Sequence, residues 1–174
     1  MRLNLAAIAA LALLVACSPQ PAGGTGAGAK VSARVSNVTM APPREAGVHP
    51  ESGLPVIPLT IDRAGRKLVF RVEVARTAAE QSKGLMFRTR MGADEGMIFP
   101  MDPPRFASFW MRNTVIPLDL VFIGQNNRIL NIAANAVPYS ETPLPSAGPV
   151  SGVLELNGGR AAQLGIGPGD KVDW

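Results

Sequence analysis

Asp119 lies where a carboxylate is expensive. The run Ile116-Pro117-Leu118-Asp119-Leu120-Val121-Phe122-Ile123 is otherwise apolar, and burying a bare charge costs far more than a strand can repay. The residue therefore needs a partner. Arg112, a few positions earlier, is the expected one, in an ion pair that fixes the turn from Asn113 to Pro117. The same residues have a second use, as a polar pocket in which Trp110 offers a flat face and Arg112, Asn113 and Asp119 offer directed hydrogen bonds. Such a pocket suits a sugar or a carboxylate-bearing ligand. Glu95 and Glu155, near expected strand ends, add two carboxylates to the candidate set. A saccharide-cleaving pair drawn from Glu95, Asp119 and Glu155 would have to stand about 5 to 9.5 Å apart across a cleft. Spacing along the chain sets no such distance, so hydrolysis stands as the alternative to binding.

Met86, Met91, Met97, Met101 and Met111 place five thioethers within 26 residues. Thioethers select copper(I), but methionine also fills irregular gaps in cores, and core is the expected use here. Gly165-Ile166-Gly167-Pro168-Gly169 lacks the Lys-Ser/Thr of a phosphate loop and precedes a strand pattern, so it reads as a turn. His49 is the sole histidine and Cys17 the sole cysteine. Disulfides, thiolate catalysis, a histidine-based zinc site and a Ser-His hydrolase are all disfavoured on that count, and no metal or cofactor is expected.

The elements that position these residues begin after a distinctive N-terminus. Arg2 precedes an apolar stretch from Leu3 to Ala16, the pattern of a secretory signal and too short to span a bilayer. Leu14-Val15-Ala16-Cys17 resembles a lipobox, the bacterial signal that directs lipid attachment to cysteine and cleavage before it. Residues 1–16 are thus expected to be removed, leaving Cys17 as a lipid anchor held by two or three acyl chains. Ser18, in place of an aspartate, favours the outer membrane over the inner. Residues 17–53 are rich in Pro, Gly, Ala and Ser and read as a flexible tether spanning roughly 33 Å. Val31, Ala33 and Val35 alternate with polar residues and could add an edge strand.

The chain has 17 Lys and Arg against 13 Asp and Glu, a net charge of +4 that falls to +3 once Arg2 is removed. Its cations are scattered among carboxylates, so nucleic acid is not an expected partner. The membrane, through the anchor, is expected, together with a small molecule, a saccharide or an envelope protein.

Residues 54–174 have the size of one domain. Leu68, Phe70, Val72 and Val74 alternate with Val69, Arg71 and Glu73, as in a half-buried strand, and Arg63-Ala64-Gly65-Arg66 turns back to a partner over Val56 to Asp62. Thr77-Ala78-Ala79-Glu80 is a capping box, predicting a helix to about Lys83 with Gly84 as its stop. Leu118 to Ile123 reads as a central strand that turns at Gly124-Gln125-Asn126-Asn127 into Arg128 to Ala136. Val150 to Leu156 predicts another strand, Asn157 a cap for a short helix through Leu164, and Lys171 to Trp174 a closing strand. Many short strands and two short helices imply a mainly β sandwich or barrel.

Gly84-Leu85-Met86-Phe87-Arg88, Glu95-Gly96-Met97-Ile98-Phe99, Phe109-Trp110-Met111-Arg112-Asn113-Thr114, Ile116-Pro117-Leu118-Asp119 and Val153-Leu154-Glu155-Leu156 occur in an order and spacing that resemble the Domain of Unknown Function 192 family. The resemblance covers roughly Leu59 to Val172 and implies a single jelly-roll-like β-sandwich, with no implied activity. Many members carry a cysteine pair in the loop corresponding to Val137 to Pro149. This chain carries Pro138, Pro143 and Pro145 there instead.

Overall fold

The computed structural model describes residues 47–174. Cys17, its signal and the Val31 to Val35 pattern lie outside the described residues. The domain is built from the alternation read above. Strand β2 (Pro55–Arg63) turns through Ala64 and Gly65, both at positive φ, into β3 (Arg66–Val74), which pairs with it antiparallel. Two consecutive residues at positive φ match the right-handed twist of the paired strands, and the Asp62 carboxylate accepts the Gly65 N–H at 2.9 Å.

Helix α1 (Ala78–Lys83) begins at the expected capping box. Thr77 Oγ1 accepts the Glu80 N–H at 3.2 Å, and Glu80 accepts the Arg76 and Thr77 N–H groups at 2.7 and 2.8 Å. Gly84, at φ +47°, ends it. The chain then enters β4 (Glu95–Arg105), which runs parallel to β3 and antiparallel to β9 (Val150–Asn157). Prolines at 100, 103 and 104 argue against a strand there. The sheet accommodates them because its register with β9 shifts between Pro100 and Arg105.

Strand β9 also pairs with β6 (Leu118–Gly124), and β6 with β7 (Ile129–Ala136). Two short strands, β1 (Gly47–Val48) and β10 (Lys171–Asp173), share the remaining edge of β2. Lys171 also bridges Arg128, and Val172 N–H donates to Asn127 O at 2.8 Å. The eight-stranded sheet thereby folds back on itself into a mainly β, sandwich-like unit. A separate ribbon joins β5 (Ser108–Phe109) to β8 (Leu144–Pro145), and α2 (Arg160–Leu164) follows β9.

Side chains alternate between the two faces of every strand, and here both faces are covered. Leu59, Phe70, Ile98, Val121, Leu154 and Val172 meet in an inner core drawn from both halves of the folded sheet. On the outer face, Met97, Phe99, Leu120, Phe122 and Val153 are covered by Leu85, Ala107 and Met111 from the connecting segments. Met97, Met101 and Met111 are buried in this outer cluster, and Met91 packs at its edge.

The folded unit starts before Leu54. Gly47 and Val48 pair with Val56 and Pro55, and Ser52 Oγ donates to the buried Glu73 carboxylate, which also receives two hydrogen bonds from buried Arg88 at 2.9 and 3.1 Å. Glu51 reaches the other side of Arg88 at 3.2 Å. A hydrogen bond to a charged group contributes about 1.5 to 3 kcal/mol, so a chain beginning at Leu54 is expected to unfold about 2 kcal/mol more easily than one beginning at Gly47. Denaturant melts of the two chains check this, and equal midpoints would mean that residues 47–53 contribute nothing.

Candidate functional site

The ion pair expected between Arg112 and Asp119 does not form. Asp119 is fully buried and faces the inner core, since it stands opposite Leu156 in the β6–β9 register while Leu118 and Leu120 face outward. Its partners are backbone donors: Asn135 N–H at 2.7 Å and Gly159 N–H at 2.9 Å on Oδ1, and Ala161 N–H at 2.8 Å on Oδ2. Charge-assisted hydrogen bonds of this kind satisfy a buried carboxylate without a cation. They also supply the cap of α2 that was expected from Asn157. Gly159 occupies the N-cap position at φ +81° with no side chain of its own, and Asn157 instead donates to the Met91 and Gly92 carbonyls at 3.2 and 2.8 Å.

Arg112 lies on the other side of the sheet. Its guanidinium makes two 2.9 Å hydrogen bonds to Glu141 and stacks over the Trp110 ring, 4.3 Å from the centroid. One face of the indole is thus taken by arginine, and Trp110 remains 47% exposed. Asn113, at φ +55°, forms the exposed tip of the same loop; its carbonyl accepts the Phe87 N–H at 2.8 Å and its amide approaches Met86 Sδ at 3.8 Å. These contacts hold the Met111–Thr114 loop against the segment that follows α1.

Glu155 is the residue this arrangement encloses. It stands opposite Leu120 and Met97 on the outer face of β9, with 5% of its surface exposed, and its Oε2 has no hydrogen-bond partner among the described residues. Burial pushes its carboxyl up to about 8, because desolvation penalises the charged form. Glu155 lines an open groove of about 490 Å³ together with Trp110 and Arg112. Lys83 from α1, Arg105 from the end of β4, and Phe106 and Phe109 between β4 and β6 complete its walls. Phe109 is fixed by edge-on contacts with Phe99 and Phe122, at centroid separations of 5.2 and 6.3 Å.

Of the six candidate residues, the structure brings Trp110, Arg112 and Glu155 to one groove and places Asn113 on the adjoining loop tip. Glu95 is elsewhere: it accepts the Gly92 N–H at 2.9 Å, lies 3.6 Å from Arg71, and borders a separate cavity with His49, Glu51 and Arg88. Asp119 and Glu155 point to opposite faces of the sheet, and Asp119 has its oxygens occupied. The carboxylate pair that saccharide hydrolysis would need is therefore not assembled from these residues. Lys83 and Arg105 carry no motif that marks them as groove residues, and the buried Glu73–Arg88 pair reads in sequence as an outward glutamate and a loop arginine.

A mainly β, sandwich-like domain with two short helices and one groove ending on a buried acid is the class that fold and site define. The chain belongs to the DUF192 family, described as an uncharacterized group, whose family model matches residues 59–174. It is similar to a crystal structure of a protein of unknown function from Novosphingobium aromaticivorans DSM 12444, with 62% identity and a TM-score of 0.74, covering 75% of this chain and 94% of that one. It is also similar to a crystal structure from Sinorhizobium meliloti 1021, described as a candidate transcription regulator, with 38% identity and a TM-score of 0.67, covering 69% of this chain and 94% of that one. No curated protein matches the chain.

Proposed function

We propose that this chain is a lipid-anchored binding module of the cell envelope, held on the periplasmic side with the outer membrane favoured, and that its groove holds a ligand without acting on it chemically. The observation that carries the binding reading is Glu155: a buried carboxyl with one oxygen unpartnered, in the wall of an open groove. A polar group kept in that position weakens the fold (the desolvation of an unpaired buried group costs about 1 to 3 kcal/mol), and a ligand that completes its hydrogen bonds removes the penalty. Trp110 and Arg112 are the groove residues from the sequence-derived set that accompany it, with Glu155 in the place first given to Asp119. The Leu14 to Cys17 motif supports the anchor.

One preparation tests both halves. The full chain, released from envelopes in mild detergent, is expected to show acyl mass on Cys17 when denatured, and a bound small molecule in its native mass spectrum that is missing from Glu155→Leu. An unmodified Cys17 overturns the anchor. Identical native spectra for the two chains overturn the groove as the binding site.

A further inference from the structure

The chemistry of the groove walls narrows what the groove can hold, on the footing that it is the binding site proposed above. Among the lining residues, Lys83, Arg105 and Arg112 are cations and Glu155 is the sole acid. Arg112 is matched by Glu141, but Lys83 and Arg105 have no ion-pair partner among the described residues. A cationic ligand would meet two unmatched positive charges, whereas an anionic one would satisfy them. Leu85, Met86, Met101, Phe106 and Phe109 supply apolar wall, and with one indole face covered by Arg112 the groove offers less of a platform for a sugar ring.

Glu155 sets the remaining requirement. A neutral carboxylic acid has an O–H to donate, and an amide carbonyl is a strong uncharged acceptor for it; the N–H of a trans amide points the opposite way and takes no part in this contact. We infer that the groove takes an N-acylated amino acid or the C-terminal end of a peptide, its amide carbonyl accepting the Glu155 O–H, its carboxylate toward Lys83 and Arg105, and its apolar side chain against Met86, Met101 and Phe109.

The charged and titratable groups facing the groove are Lys83 on α1, Arg105 on β4, Arg112 on the loop and Glu155 on β9, with Glu141 behind Arg112. Glu155 is the one displaced into the neutral-to-alkaline range, at about 8. Below that pH it presents its O–H to the amide carbonyl. Above it the proton is lost, and the ionised group repels the ligand's carboxylate. Affinity therefore falls as pH rises through about 8.

Four probes added to the full chain in detergent, followed through the Trp110 indole N–H resonance, separate these requirements. N-acetylphenylalanine is expected to bind best. N-acetylphenylalaninamide, which lacks the charge, and 3-phenylpropionate, which lacks the amide, should each bind several-fold more weakly, and phenylalaninamide, compared at about pH 6 where its α-amine is protonated, weakest. Lys83→Gln should lower the affinity for N-acetylphenylalanine but not for its amide. Glu155→Gln keeps a donor and an acceptor, so it should bind N-acetylphenylalanine with no fall across pH 8. Tighter binding of phenylalaninamide, or a Glu155→Gln chain with the wild-type pH profile, would overturn the assignment. So would silence from all four probes, and the native mass spectra then distinguish the two failures: a bound mass that depends on Glu155 leaves the groove standing and refutes the ligand class alone, while no such mass refutes both.

Discussion

Glu155→Leu is expected to stabilise the domain, and by an amount that grows with pH. Leucine fills a similar volume among Met97, Leu120 and the other apolar side chains of the outer core, without a polar atom to leave unpaired. In the wild type the folded state holds the Glu155 proton until about 8, whereas the unfolded chain releases it near 4.5. Between those values the native state binds more protons than the unfolded one, so stability falls as pH rises. Relative to its level below about 4.5, the stability of the wild type declines by about 1.4 kcal/mol per pH unit until about 8, a total loss on the order of 5 kcal/mol.

The readout is the difference between the two proteins. Glu80, bonded to the Thr77 and Arg76 N–H groups, and Glu141, bonded to Arg112, both have lowered pKa values, and so add stability as pH rises through the carboxylate range in either chain. Denaturant unfolding from acid to mild alkali should give wild-type and Glu155→Leu curves that diverge with pH. Parallel curves would mean that Glu155 titrates as an ordinary surface acid, and the groove would lose its distinguishing group. A stabilising substitution at the group proposed to bind ligand is the pattern expected where a site is kept at the expense of the fold.

Asp119→Ala should act in the opposite direction, with a loss on the order of 4 kcal/mol, since one buried and two part-buried N–H groups lose their acceptor at once. Asp119→Asn should lose less, because its amide keeps one oxygen and can serve some of the three donors. Arg112→Met should cost under about 1 kcal/mol, the scale of an exposed ion pair, and adding it to Asp119→Ala should rescue nothing, because no contact joins the two residues. Chemical denaturation of the single and double variants measures this. A double variant markedly more stable than Asp119→Ala alone would restore the ion pair that the geometry replaces.

Much of the architecture was legible in local pattern. Alternation in β3, the turn at Ala64-Gly65, the capping box at Thr77, the glycine stop at Gly84 and the apolar run of β6 are each decided within a few residues, by side-chain period, backbone freedom or one capping bond. Strand β4 was not legible, because its prolines speak against pairing and only the shifted register with β9 accommodates them.

The same division holds for the site. That Asp119 must have a partner follows from sequence, because a charge in an apolar run is unstable alone. That the partner is three peptide N–H groups does not, because backbone donors have no residue signature and are brought together only when β7 and the start of α2 close on β6. Glu155 and Glu73 both lie on the outer face of the sheet, where alternation would let either meet water. The segments between α1 and β4 and between β4 and β6 decide their fates: Arg88 arrives beside Glu73, and no described hydrogen-bonding group arrives beside Glu155 Oε2. Sequence alone determined which groups would be costly to bury, since that depends on their own chemistry; which were matched and which were left without a partner depended on packing between distant segments, and only the tertiary structure decided it.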